Sequence, residues 1–131
     1  MLANIAVNQY MTSNPIVFRP EMEVYEAIQK LLDHKITGSP VVDALNKVIG
    51  AFSEVDCLKI TTAAAYYEEM AGKVSEYMTA DVTTVDVETS ILEAADLFSR
   101  SPLRHFPVMK DGKLVGVISR VDILKALLSI H

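Results

Sequence analysis

The spacing of apolar residues follows the same order in both halves of the chain. In "VYEAIQKLLDHK" they recur every three or four positions, which predicts an amphipathic helix from Val24 to Lys35. "SILEAADLFSR" has the same spacing and predicts a second such helix, in which Ser90 and Glu93 are spaced as in a capping box. Each half therefore contains a helix with one apolar face.

Two apolar runs around a polar turn follow each predicted helix. They are "SPVVDALNKVIGAFS" and "HFPVMKDGKLVGVIS", and Asp111-Gly112 in the second is a strong hairpin sequence. A further apolar-periodic segment closes each half, "EVDCLKI" and "RVDILKALLSI", and short β segments, "PIVF" and "TTV", precede the first helices. Each half thus reads β-α-β-β-α, and the predicted fold class is α/β with mixed α+β character.

The two halves also match residue by residue, which indicates an internal duplication. "VNQYMTSNPIVF" aligns with "VSEYMTADVTTV", and "GAFSEVD" aligns with "GVISRVD". We predict a first repeat over residues 1–62, a helical connector over 63–73 and a second repeat over 74–131. Tyr66 and Tyr67 of the connector could pack on the core or on another subunit, and the sequence leaves both open.

Charge and cysteine content narrow the classes of function. The 131 residues carry a formal net charge of -5, which disfavours a nucleic-acid backbone as the main partner. The single cysteine, Cys57, rules out a disulfide within the chain and fits a cytoplasmic protein. No apolar run reaches the length of a membrane helix, and no enzyme motif or metal-ligand spacing is present, so we expect neither a membrane protein nor an enzyme.

Two β-α-β-β-α copies, each with an "MT" entry, a "PV" strand and a Gly-x-x-Ser-x-x-Asp ending, resemble a tandem pair of cystathionine-beta-synthase (CBS) domains, a Bateman module. The resemblance covers about residues 6 to 130. It implies two repeats packed with pseudo-twofold symmetry, a homodimer, and regulatory binding of AMP, ADP, ATP or S-adenosylmethionine with no required cofactor. It also implies signalling to a partner protein, which the sequence does not identify.

The repeated Ser-x-x-Asp stretch has a physical interpretation of its own. "LVGVI" is a predicted strand that ends just before Ser119, and a helical pattern begins there. Ser119 is therefore predicted at the N-cap and Asp122 at the third helical position. Free backbone N–H groups at such a helix start favour an anion, and Arg120 adds donors suited to phosphate. Asp122 could accept hydrogen bonds from the two hydroxyls of a ribose. In the first copy Glu54 replaces Arg120, which predicts two unequal sites.

The resemblance also implies that each cleft draws its serine and aspartate from one copy and its other residues from the other copy. One predicted cleft combines Ser53 and Asp56 with Asp81, Val82, Thr83, Arg104 and His105. The second combines Ser119, Arg120 and Asp122 with Asn14, Pro15, Ile16, Gly38 and Ser39. No catalytic or metal-binding residue is predicted.

Two other functions remain open on the sequence. In one, the module is structural or binds proteins with empty clefts, and the serines and aspartates only cap helices. In the other, weaker, alternative it binds single-stranded nucleic acid, which the net charge disfavours. If the clefts are empty, Arg104 is an ordinary surface charge and His105 is an ordinary polar residue at the start of a strand.

Overall fold

Segments far apart in the sequence fold together in this protein. The computed structural model describes residues 1–67 and 72–131, and only the backbone for 63–67. One compact unit contains Met1–Pro15 and Thr83–His131, and the other contains Ile16–Val82. The strands are β1 Thr12–Ser13, β2 Gly38–Val42, β3 Val48–Ser53, β4 Val85–Asp86, β5 His105–Lys110 and β6 Lys113–Ser119. The helices are α1 Val24–His34, α2 Glu54–Tyr67, α3 Val74–Tyr77, α4 Ile91–Ser99 and α5 Arg120–Ser129, with 3-10 turns at Leu2–Asn4 and Val7–Gln9.

The Ile16–Val82 unit is built around the antiparallel pair β2–β3. The register places Gly38 opposite Ser53, and every residue of β2 is buried. The predicted apolar face of α1 packs on this pair through Val24, Ala27 and Leu31. Leu32, which the spacing also predicts on that face, is exposed instead. The predicted "PIVF" strand is reduced to a single parallel bridge between Phe18 and Val41.

The other unit contains a four-stranded sheet in the order β1-β6-β5-β4. Strands β5 and β6 form the predicted hairpin, and its turn has positive φ at both Asp111 and Gly112, 52° and 78°. These angles explain the Asp-Gly pair, because both central residues of this turn type are left-handed. Phe98 of α4 stacks on Phe106 of β5 at a ring-centroid distance of 4.1 Å. Helices and mixed sheets together confirm the predicted α/β class.

Each unit takes its entry segment from the other sequence repeat. Thr12 in β1 pairs with Val117 of β6, and Thr79 bridges Ala51 of β3 at the matched position. The compact units therefore do not follow the predicted repeat boundaries, 1–62 and 74–131. Those boundaries describe the duplication in the sequence, whereas the units exchange the residues that precede Ile16 and Thr83.

The connector is described only in part. Helix α2 continues to Tyr67, beyond residue 62, the predicted end of the first repeat. The side chains of Tyr66 and Tyr67, whose packing the sequence left open, lie outside the described residues. Over residues 1–67 and 72–131, the helices are too short or too polar to cross a membrane.

Candidate functional site

The turn from β6 into α5 forms a complete capping box. Ser119 Oγ accepts a 3.2 Å hydrogen bond from the Asp122 amide, and the Ser119 amide donates to Asp122 Oδ2 at 2.8 Å. The Ser119 hydroxyl also donates to Asp122 Oδ2 at 2.9 Å. The predicted N-cap and third-position roles of the two residues are therefore confirmed.

The turn from β3 into α2 holds its aspartate by more contacts. Asp56 Oδ2 accepts from the Ser53 amide at 2.9 Å and from the Ser53 hydroxyl at 3.2 Å. Its Oδ1 accepts from Thr79 Oγ1 at 3.0 Å and from Lys59 Nζ at 3.2 Å. Asp56 is only 1% exposed. These four bonds between described residues all lie within the Ile16–Val82 unit.

The second copy leaves one carboxylate oxygen open. Asp122 is 8% exposed, and both bonds that reach its carboxylate end on Oδ2. Among the described residues, none donates a hydrogen bond to Oδ1. Thr12 and Lys125 occupy the positions that match Thr79 and Lys59, yet neither bonds to Asp122. The two aspartates are thus equivalent in sequence and unequal in their surroundings.

Residues before β5 lie beside the Ser119 turn. The Arg120 amide donates to the Arg104 carbonyl at 3.1 Å, and His105 pairs with Ser119 across the sheet. Arg120 Nη2 donates to the Ser101 carbonyl at 3.3 Å. These contacts lie within one unit, and the predicted grouping of Arg104 and His105 with Ser53 and Asp56 stays a prediction.

The first copy repeats this arrangement with other side chains. The Glu54 amide donates to the Thr37 carbonyl at 2.9 Å, and Gly38 pairs with Ser53. Ser39, next along β2, is buried. The residues that precede each "PV" strand therefore adjoin the Ser-x-x-Asp turn of their own repeat.

The electrostatic environments of the two turns differ. The first turn of α2 contains the acidic residues Glu54 and Asp56, whereas that of α5 contains Asp122 beside Arg120. Burial raises the pKa of the Cys57 thiol, and the nearby Asp56 and Glu54 charges raise it further. This keeps the thiol protonated and unreactive. Burial lowers the pKa of His105, and the Arg104 charge acts in the same direction.

The remaining predicted site residues are divided between the two units. Asn14, Pro15 and Thr83 belong to the unit with α5, and Ile16 and Val82 belong to the other. Asn14 and Asp81 occupy matched positions and share a left-handed backbone, with φ of 50° and 46°. Each predicted cleft draws residues from both units, and the two clefts stay predictions.

Sequence reasoning missed two residues that bind Asp56. Thr79 belongs to the repeated "MT" pair, and that repetition was the available signal for it. For Lys59 the available signal was helical spacing, because a lysine three positions after an aspartate can reach it on a helix. Within the described ranges, no group of three His, Cys, Asp or Glu side chains could hold a metal ion.

An apolar stripe on α5 is exposed. Val121, Leu124 and Leu128 follow helical spacing and are 57%, 63% and 75% exposed. Leu124 and Leu128, with Leu127, Ile130 and His131, line a shallow groove of about 570 Å³. The matched positions on α2, Val55 and Leu58, are exposed as well. Helix faces of this kind mark interaction surfaces.

Comparison with known proteins identifies the repeat. The family model of the CBS domain matches residues 7–62 and again residues 74–129. CBSX2 from Arabidopsis thaliana has a crystal structure similar to this chain, with a TM-score of 0.86, 29% identity and coverage of 97% of this chain and 96% of that one. A crystal structure of CBSX2 in complex with AMP gives a TM-score of 0.85, again at 29% identity, and covers 96% of this chain and 98% of that chain.

Relatives in sequence differ in length. The chain is 33% identical over 126 residues to the "uncharacterized 17.7 kDa protein in bps2 3′region" of Acidianus ambivalens. The matched region covers 95% of this chain and 74% of that protein. It is 32% identical over 117 residues to the inosine-5′-monophosphate dehydrogenase of Aquifex aeolicus, covering 88% of this chain but only 23% of that enzyme. It spans 43% of protein MJ1225 of Methanocaldococcus jannaschii. The chain thus matches a module that also occurs inside much longer proteins.

Proposed function

The chain belongs to the CBS-domain family and carries the domain twice, and from this premise we propose that it is a regulatory module that binds an adenosine-containing ligand. The candidate ligands are AMP, ADP, ATP and S-adenosylmethionine. The structure of CBSX2 with AMP supports this class of ligand, since its chain is 29% identical to this one over nearly the whole length. The bound module would signal to a partner protein through a change in shape or affinity.

The observation that carries the proposal is the open oxygen of Asp122. Asp122 as a whole residue is 8% exposed, Ser119 holds its carboxylate through Oδ2, and Oδ1 receives no hydrogen bond from the described residues. Ribose hydroxyls are suitable donors for such an oxygen. The free amides predicted at this helix start are mostly occupied, because the Ser119, Arg120 and Asp122 amides donate to Asp122 Oδ2, the Arg104 carbonyl and Ser119 Oγ. A phosphate would therefore be favoured mainly by the Arg120 side chain and the positive end of the α5 dipole.

A thermal-shift panel tests the proposal. AMP, ADP, ATP and S-adenosylmethionine are each added at millimolar concentration, with and without magnesium, and GMP and inorganic phosphate serve as controls. A ligand at about 100 times its Kd stabilises the folded chain by about 2.7 kcal/mol, which raises the melting temperature by several degrees. Asp122→Ala should remove the shift. No shift with any of the four adenosine compounds would refute the proposal.

The capping geometry favours a second candidate function. Ser119 and Asp122 form a complete capping box without any ligand, as they would in a structural or protein-interaction module with empty sites. In that case Asp122→Ala lowers the melting temperature of the free protein, and no adenosine compound changes the melting temperature of the wild type or the variant. The panel above distinguishes the two functions.

We propose a homodimer joined through the apolar stripe of α5. Val121, Leu124 and Leu128 form an exposed apolar stripe at helical spacing, and such a stripe can pack on its own copy across a twofold axis. The resemblance to Bateman modules points the same way. The lone thiol Cys57 supports a reducing, cytoplasmic setting. The proposed role is binding and not catalysis.

A further inference from the structure

We infer that the chain binds one adenosine-type ligand, at the Asp122 turn, and that the Asp56 turn is closed to ribose by its own side chains. The inference rests on the proposed function and specifies which of the two repeated turns performs it. It follows from the different hydrogen bonds of two aspartates that occupy matched positions.

The number of acceptor positions decides which turn is open. An ionised carboxylate offers about four lone-pair sites, two on each oxygen. Asp56 receives four donors, the Ser53 amide and hydroxyl on Oδ2 and the Thr79 and Lys59 side chains on Oδ1. Its acceptor capacity is therefore full. A ribose could bond to it only by displacing Thr79 or Lys59.

Asp122 has capacity for both hydroxyls of a ribose. Its Oδ2 is occupied by the Ser119 amide and hydroxyl, and the two positions of Oδ1 receive no donor from the described residues. At 8% exposure against 1% for Asp56, Asp122 is also the more accessible of the two. Two open acceptor positions match the two adjacent hydroxyls of an unmodified ribose.

Charge acts in the same direction. A phosphate near the start of α5 would meet the Arg120 guanidinium, which makes one 3.3 Å bond to Ser101 and retains further donors. Near the start of α2 it would meet the Glu54 carboxylate, and like charges disfavour that arrangement. A ligand with both ribose and phosphate is therefore accepted by one turn and refused by the other.

Isothermal titration calorimetry with AMP tests the inference on the wild-type chain and three variants. The wild type should bind one AMP per chain. This stoichiometry tests the inference without relying on the folding of any variant. Asp122→Asn should weaken binding by at least about tenfold, as expected for lost hydrogen bonds to a charged acceptor. The matched variant Asp56→Asn should keep affinity within about threefold, although it melts earlier. Thr79→Val combined with Lys59→Met frees Asp56 Oδ1, and this double variant should bind a second equivalent of uncharged adenosine.

The outcomes separate the inference from the proposed function. Two AMP per chain, or a loss of binding in Asp56→Asn while Asp122→Asn still binds, would overturn the inference and leave the proposed function intact. One equivalent of adenosine in the double variant would show that Thr79 and Lys59 do not close the first turn. No binding of AMP or adenosine to the wild type would overturn both.

Discussion

Gly116 lies directly against the backbone of Thr12. A Cβ added to Gly116 would lie 2.8 Å from the Thr12 carbonyl oxygen and 2.6 Å from the Met11 sulfur. The sulfur can move, but the carbonyl is held by the pairing of β1 with β6. We expect Gly116→Ala to lower the free energy of unfolding by about 1–3 kcal/mol, the usual cost of overpacking. Urea unfolding followed by circular dichroism measures it.

Gly50→Ala is the matched variant in the other unit. Its Cβ would lie 2.8 Å from the Thr79 carbonyl, so a similar loss is expected. Lys113→Ala, at the exposed first position of the same strand, is a control for a change that adds no atom near Thr12. A Gly116→Ala protein as stable as the wild type would show that β1 can move away from β6.

Two serine caps provide a second prediction. Ser119 caps α5 and Ser90 caps α4, each by accepting a hydrogen bond from the amide three residues later. Replacing either by Ala should cost about 1 kcal/mol of stability. Only Ser119→Ala should also weaken AMP binding, because only Ser119 holds Asp122. Equal effects on binding by the two variants would contradict the placement of the site at α5.

The sequence predicted the elements that depend on local patterns. The helical periodicity of α1 and α4 and the Asp111-Gly112 turn are local features, and the structure has each of them. The tandem repeat of a known family was likewise visible, since each copy carries its glycine, serine and aspartate in order. One local prediction is confirmed only in half: at α4, Ser90 accepts from the Glu93 amide, and the described contacts contain no return bond from the Glu93 side chain.

Contacts between distant segments could not be predicted in the same way. No local pattern shows that residues up to Pro15 fold with the second repeat, because strand pairing depends on tertiary packing. Thr79 and Lys59 both bond to Asp56. The residues at the matched positions of the other repeat, Thr12 and Lys125, do not bond to Asp122. Such differences depend on side-chain placement that a sequence comparison does not contain.

Thr79 gives a third prediction, with Thr12 as its matched control. Thr79 Oγ1 donates to a buried carboxylate oxygen, whereas Thr12 makes no such bond. Thr79→Val, which keeps the shape but removes the hydroxyl, should destabilise the chain by about 1–2 kcal/mol. Thr12→Val should change stability by less than about 0.5 kcal/mol. Thermal unfolding of both variants measures the difference, and equal losses would show that the Thr79 bond contributes nothing.

Stability should depend on pH through His105. Burial lowers the pKa of His105 below its ordinary value of 6.5, so the folded chain favours the neutral ring. As the pH falls through 6.5, the unfolded chain takes up the proton first and folding loses free energy until the lower, folded pKa is reached. The melting temperature should therefore fall between pH values of about 7.5 and 5.5. His105→Asn should reduce this slope, and an unchanged slope would exclude His105 as its source.

The apolar stripe of α5 supplies the last prediction. Leu124 and Leu128 lie one turn apart and both project from a helix whose buried residues include Asp122 and Ala126. Replacing both leucines by Glu places like charges on each side of a twofold contact, so a dimer should dissociate to monomers. Size-exclusion chromatography with light scattering measures the mass against the 14.4 kDa of one chain. Leu32→Glu, an exposed leucine on α1, is the control and should leave the dimer intact. A wild-type protein that is already monomeric, or a dimer that survives both substitutions, would exclude this face as the interface.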